Sequence, residues 1–516
     1  MTELPWWKTA VAYQIYPRSF CDTGGDGVGD LEGIRRHLDH LVTLGVDAIW
    51  LSPFFRSPMA DYGYDVADYC DVDPLFGDLD AFDALLADAH GRGLRMIIDW
   101  VPNHTSIEHP WFVESRSSTD DPKRDWYVWR DPAPGGGPPN NWIESLTFGP
   151  AWTFDPTTGQ YNLHCFLPQQ PDLNWANPGV AAAMADTLRF WLDRGVDGFR
   201  MDVVHLIGKD PALPDEPPEV AGLPHTILNA RPETHAHLRD LRALLDGYPG
   251  DRMAIGEIYL LDTDLVAEHY GHDDELHLCF NFPPLYAAWD AEAWRRCITS
   301  TNAALDPIGA WPTWVLSNHD NPRHRTRYEL ALGVVPADGD RIARAAAVLL
   351  TTLRGTPFLY AGDELGLTDA VVAPEQVQDP AGRDGCRAPI PWDPTPEHGW
   401  VREDNWLPWP PEAETRNAAA AIADPDSIFH LYRRLLALRR AIPALHSGAI
   451  ELLDSPDAVL AYRRTGGGAT IVVAVNMGRD EVAWSPVGEL LISSDGAAGS
   501  SGAGTLGPYQ AVVVRQ

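Results

Sequence analysis

Eight short apolar segments, separated by amphipathic helical patterns, are the feature that most constrains the fold of this 516-residue chain. Between the first two, Leu31, Ile34, Leu38 and Leu41 recur on one helical face over 31–45, and Gly45 follows the end. Repetition of strand then helix in this number predicts an α/β fold, a parallel (β/α)8 barrel of the TIM type. The segments are 10–16, 47–53, 95–100, 196–204, 252–260, 277–282, 313–318 and 356–362.

Two insertions and a final segment depart from this rhythm. Residues 104–172 lack helical periodicity and are rich in Trp, Pro, Asn and Gly, which predicts a small inserted domain after the third strand. Residues 370–420 follow the eighth strand as a long irregular segment, typical of a lid or binding loop. Residues 445–516 alternate with period two and predict an antiparallel β-sandwich domain, so the barrel comprises 1–103 and 173–440.

Composition excludes several classes of partner. The formal net charge of −34 is spread along the chain, and this disfavours nucleic acid and anionic membrane surfaces. No run of about 18 apolar residues is present, so we expect no membrane span. Residues 1–20 lack a secretory pattern, and six scattered cysteines without CxxC spacing indicate reduced thiols. We therefore expect a cytoplasmic monomer or homodimer. The twenty Trp fit either core packing or an aromatic-lined sugar site.

The segment GFRMDVVH, residues 198–205, places Arg200 and Asp202 on one face of a buried strand. A structural ion pair would explain these two residues alone, because buried charges need partners. Polar side chains also follow the other strands, at the barrel end where enzymes of this fold place their sites. The stability of the fold does not require that three carboxylates, two imidazoles and an arginine meet at one end of the barrel. We therefore predict an active site there. These residues are Asp61, Tyr64, Asp65, Asp99, Asn103, His104, Arg200, Asp202, Glu257, Asn318, His319 and Asp320.

Glycoside cleavage is the chemistry that uses such a set without a metal cluster, because it needs an ionised nucleophile beside a protonated acid. Asp202 is the predicted nucleophile, since Arg200 on the same face favours the charged form. Glu257 is the predicted acid, because its apolar strand favours the protonated form. Asp320 is a third carboxylate that can bind sugar hydroxyls and stabilise a cationic transition state. His104 and His319 can donate to hydroxyls, and Tyr64 can offer a ring face.

Four motifs in this order resemble the signature regions of the α-amylase superfamily of glycoside hydrolases: DWVPNH (99–104), GFRMD (198–202), GEIY (256–259) and LSNHD (316–320). QPDLNW (170–175) and GDGVGD (25–30) resemble its oligo-1,6-glucosidase and α-glucosidase branch. The resemblance covers essentially the whole chain. It implies a retaining mechanism in which Asp202 forms a glucosyl-enzyme and Glu257 acts first as acid and then as base.

The resemblance also implies an exo-acting α-glucosidase that releases α-glucose from short oligosaccharides of the maltose or isomaltose type. An α-glucosyl transferase or sucrose-acting enzyme of the same superfamily would share the carboxylates, and a non-catalytic barrel scaffold is a distant alternative. Tyr64, Phe166 and Val203 are expected to line the site. Residues that would hold the glucose are Asp61, His104, Arg200, His319, Asp320 and Arg387.

The chain departs from this branch directly after the nucleophile. Residues 203–235 include His205 and a Pro-rich stretch that matches no pattern of the branch, at the place where the leaving group would bind. In the resembling enzymes, Val at position 203 accompanies acceptance of α-1,6 bonds, whereas Ala or Thr accompanies a preference for α-1,4 bonds. Alternatively, Val203 is simply a good strand residue.

A metal site is predicted in DTGGDGVGD, residues 22–30. Asp22, Asp26 and Asp30 occupy positions one, five and nine of a calcium loop, and the Val28 carbonyl occupies position seven. Gly33 replaces the usual glutamate at position twelve. We predict a structural Ca²⁺ and no organic cofactor; an acidic turn without metal is the alternative.

Overall fold

The computed structural model describes residues 4–229, 231–402, 404–496 and 504–516. Residues 1–3, 230, 403 and 497–503 lie outside it, although the predicted barrel, loop and C-terminal domain include them. No helix in these described ranges is long and apolar enough to cross a membrane. All six cysteines have free thiols.

Eight parallel strands form the predicted barrel, and their side chains are buried almost throughout. The strands are β1 (Ala12–Ile15), β2 (Ala48–Leu51), β3 (Arg95–Trp100), β4 (Gly198–Met201), β5 (Met253–Gly256), β6 (Leu278–Cys279), β7 (Thr313–Val315) and β8 (Thr356–Tyr360). Their pairing order is β6-β5-β4-β3-β2-β1-β8-β7, which confirms the (β/α)8 fold.

The barrel closes between β6 and β7 through a side chain. The Thr313 hydroxyl donates to the Cys279 carbonyl at 2.7 Å and accepts from the Asn281 amide at 3.1 Å. Thr313 is fully buried, so these two bonds satisfy backbone groups that a ladder would otherwise pair.

Helices follow the strands, and their ends obey the sequence signals. Asn177 caps the helix Pro178–Arg194, and Gly195 follows in the left-handed conformation with φ 106°. The helices that flank the barrel are Leu31–Arg36, Leu38–Leu44, Leu79–Gly91, Pro178–Arg194, Pro232–Asp246, Thr263–Glu268, Ala291–Leu305, His324–Leu332, Pro336–Thr352 and Ile428–Ala441. Shorter helices are Trp6–Thr9, Pro110–Ser117, Pro283–Tyr286, Ala418–Ala423 and Pro443–His446.

The single helix predicted over 31–45 is interrupted at His37. The His37 ring lies 2.8 Å from the Gly33 carbonyl, which the His37 amide would otherwise use in a continuous helix. The same ring stacks on Trp392, with centroids 3.7 Å apart. A contact with the loop after β8 therefore accompanies the break.

The inserted residues form a small domain of their own. Trp129–Arg130, Trp152–Asp155 and Gln160–Leu163 make a three-stranded antiparallel sheet. The helix Pro110–Ser117 precedes it, although the sequence showed no helical periodicity there. Phe55–Arg56 and Asp68–Val72 form a separate two-stranded sheet after β2.

The C-terminal domain is one five-stranded antiparallel sheet in its described residues, in the order β9-β10-β11-β13-β12. The predicted sandwich requires a second sheet, but here one face packs on the barrel, where Tyr462 lies 2.6 Å from Thr352. The other face is covered by Val482 and Leu506, which pair only as an isolated bridge. The strands are β9 (Ala449–Leu452), β10 (Val459–Gly466), β11 (Ala469–Asn476), β12 (Glu489–Ser493) and β13 (Ala511–Arg515).

Candidate active site

A buried arginine at the end of β4 joins three carboxylates. Arg200 Nη1 donates to Asp99 Oδ1 at 2.6 Å and to Asp202 Oδ1 at 2.5 Å. Arg200 Nη2 lies 2.7 Å from Glu257 Oε2. Parallel register places Asp99 beside Arg200, and β4 and β5 end just before Asp202 and Glu257. The structure therefore brings the predicted nucleophile and acid together around one guanidinium.

The electrostatics of this cluster differ from the expectation for Asp202. Burial raises the pKa of Asp202 well above its usual value, and Glu257 and Asp99 add to the rise although Arg200 opposes it. Burial likewise raises the pKa of Asp99 to about 7. Arg200 does favour the charged form, but one cation is shared among three carboxylates that are all buried.

Asp320 is held by two arginines from the loop after β8. Arg387, predicted from the resemblance, lies 3.1 Å from Asp320 Oδ1 and donates to the His319 carbonyl at 2.7 Å. Arg383 was missed, and it donates to Asp320 Oδ1 at 3.0 Å and to Asp61 Oδ1 at 2.6 Å. Burial would raise the pKa of Asp320, but His319, Arg383 and Arg387 together lower it below its usual value.

The only sequence signal for Arg383 was its place in GRDGCR, the segment that also supplies Arg387; Arg383 directly precedes the 3-10 turn Asp384–Arg387.

His319 and Tyr64 form a stacked pair beneath Asp320. Their rings are parallel within 9° at 5.4 Å, and the Tyr64 hydroxyl lies 2.5 Å from His319 Nε2. His319 thus holds the hydroxyl of Tyr64, and the use of the Tyr64 ring as a sugar platform stays a prediction. Burial lowers the pKa of His319 to about 3, so the imidazole is neutral.

The inserted domain contributes the opposite wall of the site. Gln170 Nε2 donates to Asp61 Oδ2 at 3.1 Å and lies 3.0 Å from His104 Nε2. Gln170 is fully buried and was missed as a site residue, although it begins the QPDLNW motif. The Phe166 ring lies 5.1 Å from the His104 ring. Burial lowers the pKa of His104 to about 4.

Strand β4 ends earlier than the sequence indicated. Val203, expected within the strand, is left-handed with φ 34° and ψ 38°, and the turn Val204–Leu206 follows. Its side chain is buried in a cluster with Val128 and Trp142, and its amide donates to Glu257 Oε2 at 3.1 Å.

Part of the segment 203–235, which matched no pattern of the branch, is hydrogen-bonded to the inserted domain. The Asn141 side-chain amide donates to the Glu216 carbonyl at 3.0 Å, and the Glu216 amide donates to Asn141 Oδ1 at 2.7 Å. The Trp142 indole donates to the Pro214 carbonyl at 2.8 Å, and Ser145 lies 2.6 Å from His225. The His225 ring also lies 5.9 Å from the ring of Phe166, so this segment borders the side of the site that the inserted domain contributes.

An aromatic rim beside the acid was also missed. Tyr259 and Tyr286 are 44% and 48% exposed, and their hydroxyls are hydrogen-bonded to each other. Tyr286 also donates to Asn321 Oδ1 at 3.0 Å, and the Tyr259 ring lies 4.6 Å from Phe282. The position of Tyr259, two residues after Glu257, was the available signal.

The predicted calcium loop is stabilised by its own carboxylates. Asp22 accepts from the amides of Gly25 and Gly27 at 2.7 and 3.0 Å, and the Asp26 carboxylate accepts from the Val28 amide at 2.9 Å. Asp30 accepts from the Thr23 amide at 2.8 Å. The described residues contain no group of three or more His, Cys, Asp or Glu side chains placed to hold a metal. The donor set thus does not form a site by itself, and Ca²⁺ stays a prediction.

Comparison with known proteins agrees with this geometry. A family model of the alpha-amylase catalytic domain matches residues 14–448. The chain is 44% identical over 506 residues to a probable alpha-glucosidase of Rhizobium meliloti (strain 1021), covering 93% of this chain and 90% of that protein. It is 38% identical over 532 residues to an oligo-1,6-glucosidase of Heyndrickxia coagulans, covering 94% of each.

Two solved structures show the same fold with other activities. The alpha-glucosyl transfer enzyme XgtA is 42% identical, with a TM-score of 0.91 over 99% of this chain and 100% of that one. The trehalulose synthase MutB from Pseudomonas mesoacidophila MX-45 is 35% identical, with a TM-score of 0.90 over the same shares.

Proposed function

The chain belongs to the alpha-amylase family of glycoside hydrolases, and from that premise we propose that it is an exo-acting retaining α-glucosidase. Its substrates would be short α-glucosides of the maltose and isomaltose type, from whose non-reducing ends it releases α-glucose. The observation that carries the proposal is the buried set of Asp202, Glu257 and Asp99 around Arg200, with Asp320 beside it.

The first half of the reaction uses the two carboxylates that close β4 and β5. Arg200 holds Asp202 Oδ1, and Oδ2 is then the oxygen that attacks the anomeric carbon. Glu257 transfers a proton to the glycosidic oxygen as the bond to it breaks. In the second half, Glu257 takes a proton from a water molecule as the water oxygen attacks the anomeric carbon; the bond to Asp202 breaks, and glucose leaves with the α configuration retained.

The glucose unit would be held by residues around the nucleophile. Asp320 and Asp61, bridged by Arg383, present carboxylate oxygens to sugar hydroxyls. Neutral His104 and His319 lie beside these carboxylates, and they add no positive charge to compete with the oxocarbenium-like transition state.

The walls favour short substrates and cleavage of one terminal unit. Residues 213–225 are latched to the inserted domain on one side, and Arg383 bridges Asp61 and Asp320 on another. A pocket enclosed in this way admits a chain end more readily than the middle of a polymer.

Glucosyl transfer is the second candidate, and the aromatic rim favours it. Tyr259 and Tyr286 lie beside the acid with large exposed faces, which can stack on an acceptor sugar. An acceptor bound there would compete with water for the glucosyl-enzyme. The similarity to XgtA, a glucosyl transfer enzyme, and to MutB, a trehalulose synthase, supports glucosyl transfer as an activity that accompanies hydrolysis.

One substrate panel separates these activities. Maltose, isomaltose, sucrose, trehalose and soluble starch would be incubated with the protein and the products analysed. We expect free glucose from maltose and isomaltose, with transfer products growing as the disaccharide concentration rises. Sucrose converted to an isomer would favour a sucrose-acting enzyme. Starch cut to oligosaccharides without glucose would refute the exo-acting proposal.

We also propose that the protein works in the cytoplasm as a monomer or homodimer. The six free thiols support the compartment. Fractionation of cells that express the protein and size-exclusion chromatography with light scattering test the two statements; a disulfide-linked or larger oligomer would contradict them.

A further inference from the structure

Two hydrogen bonds join Glu257 to the turn that follows the nucleophile. The Val203 amide donates to Glu257 Oε2 at 3.1 Å, and His205 Nδ1 lies 3.2 Å from the Glu257 backbone carbonyl. A carbonyl oxygen only accepts, so Nδ1 carries the proton of a neutral His205 ring. The side chain and the backbone of Glu257 are thus each held from the same three-residue turn.

The turn adopts a costly conformation to make this contact. Val203 is β-branched and left-handed, a conformation that is rare for such a residue and is found where the surroundings enforce it. Strain of this kind is concentrated at functional sites. Here it accompanies the Val203 amide leaving the sheet to bond the carboxyl of Glu257.

His205 is itself anchored from the far side. Its carbonyl accepts from the Thr234 hydroxyl at 3.2 Å, and that hydroxyl accepts from the Gly208 amide at 3.1 Å. Thr234 is buried in the helix Pro232–Asp246. His205 is 4% exposed, and burial lowers its pKa to about 3, so it stays neutral in the working range of the protein.

These contacts distinguish the two oxygens of Glu257. Oε2 faces two donors, Arg200 Nη2 at 2.7 Å and the Val203 amide. Within the described residues, Oε1 receives no hydrogen bond. A protonated Glu257 would therefore carry its proton on Oε1, because Oε2 is already occupied as an acceptor.

We propose that His205 is a positioning residue for the acid and base: with the Val203 amide, it orients Glu257 so that Oε1 delivers and later recovers the transferred proton. The inference rests on the proposed function and assigns a role to the residue that matched no pattern of the branch.

A purely structural role for His205 makes a different prediction. Loss of a buried structural histidine would slow every substrate alike. Loss of a positioning contact would lower kcat/KM only for substrates whose leaving group needs a proton, whereas kcat would fall for both substrates because both pass through the same base-assisted hydrolysis of the glucosyl-enzyme. Maltose requires protonation of its leaving oxygen, whereas α-glucosyl fluoride loses fluoride as the bond from Asp202 to the anomeric carbon forms, with no proton from Glu257.

The experiment compares both substrates in the full-length protein. His205→Leu should lower kcat/KM for maltose by about 10²-fold, the lower end of the range for general acid catalysis, and leave that for α-glucosyl fluoride within about threefold. His205→Asn should recover most of the maltose rate, because its side-chain amide can donate near the position of Nδ1. Sodium azide should raise kcat of His205→Leu on the fluoride and yield α-glucosyl azide, since azide attacks the glucosyl-enzyme without a base.

His277→Leu is the matched control. His277 is also buried, and its Nδ1 accepts from the amide of Ala254 at 3.1 Å, at the start of β5 and without a hydrogen bond to Glu257 in the described residues. It should affect both substrates equally or not at all. Melting temperatures of all variants would accompany the rates.

Equal losses on maltose and the fluoride in His205→Leu would overturn the inference, as would an unchanged maltose rate. If His205→Leu does not fold, His205→Asn and His205→Gln replace it in the test. The Asn amide can donate near the position of Nδ1, whereas the Gln amide lies near the position of Nε2. Asn must then exceed Gln on maltose, and equal rates would overturn the inference. If the wild type cleaves neither substrate, the proposed function fails, which is a separate result.

Discussion

Removing the Arg383 guanidinium tests the bridge that only the tertiary structure revealed. Arg383 donates to Asp61 at 2.6 Å and to Asp320 at 3.0 Å, and its side chain is 12% exposed. In Arg383→Gln both carboxylates lose a charged donor. Asp61 keeps its bond from Gln170, and Asp320 keeps its contacts with Arg387 and His319.

The size of the effect follows from these remaining partners. A hydrogen bond to a charged group contributes about 1.5–3 kcal/mol, and the surviving contacts place each loss at the low end. Two such losses come to about 3 kcal/mol, or about a hundredfold in kcat/KM, if the bridged geometry is the one that binds the transition state. Arg383→Lys should fall between wild type and Gln, because an ammonium lacks the planar fork that spans two carboxylates.

The assay is kcat and KM on maltose, with a thermal melt for each variant. Arg402→Gln is the control, since Arg402 lies in the same loop, its side chain is 45% exposed and its one ion pair with a described residue, Asp404, is 3.7 Å long. That control should stay within about twofold of wild type, as expected for an exposed pair. An Arg383→Gln enzyme with a normal melt and a maltose kcat/KM within about threefold of wild type would refute the reasoning.

Four further predictions test the chemistry, the charge state, the metal and the linkage. Asp202→Asn and Glu257→Gln should each lower turnover by about a thousandfold or more, and proton NMR of the wild-type reaction should show α-glucose first; β-glucose first would exclude the retaining mechanism. Because the pKa of Asp202 is raised, the nucleophile takes up a proton earlier than an ordinary aspartate as the pH falls, so kcat/KM on maltose should drop on the acid side at a pH above the usual range for aspartate; a profile that stays flat down to that usual range would contradict the charge assignment. Added Ca²⁺ should raise the calorimetric Tm and EDTA should lower it, with Asp22→Asn abolishing the difference; a Tm indifferent to both would support the metal-free turn. Isomaltose should be cleaved in addition to maltose. Val203→Thr keeps a β-branched residue in the left-handed position and should lower the isomaltose-to-maltose ratio of kcat/KM several-fold, because it loses an apolar contact of about 1 kcal/mol with the extra methylene of the α-1,6 bond. An unchanged ratio would show that Val203 does not set the linkage preference.

Much of the barrel and its catalytic end could be predicted from local patterns. Apolar segments, the Asn177 cap and the Gly195 stop act over a few residues, so they are readable without knowledge of distant contacts. Parallel topology then predicts where the catalytic side chains meet, because it brings the carboxyl ends of all eight strands to one face of the barrel. Asp202 and Glu257 could be placed together for that reason although they are far apart in sequence: Val203, which directly follows Asp202, is 54 residues from Glu257.

The sequence by itself therefore determined the barrel strands, several of the helices between them and which strand ends meet, because those depend on short-range periodicity and one topological rule. The tertiary structure alone decided the positions of Arg383, Gln170 and His205, which lie in irregular segments placed by long-range hydrogen bonds. It also decided the break at His37 and the direction of the pKa shift of Asp202. Those outcomes depend on which residues, distant in sequence, lie next to one another in the folded chain. Burial and electrostatic interactions are set by all of these neighbours in three dimensions, so they cannot be read from the local sequence.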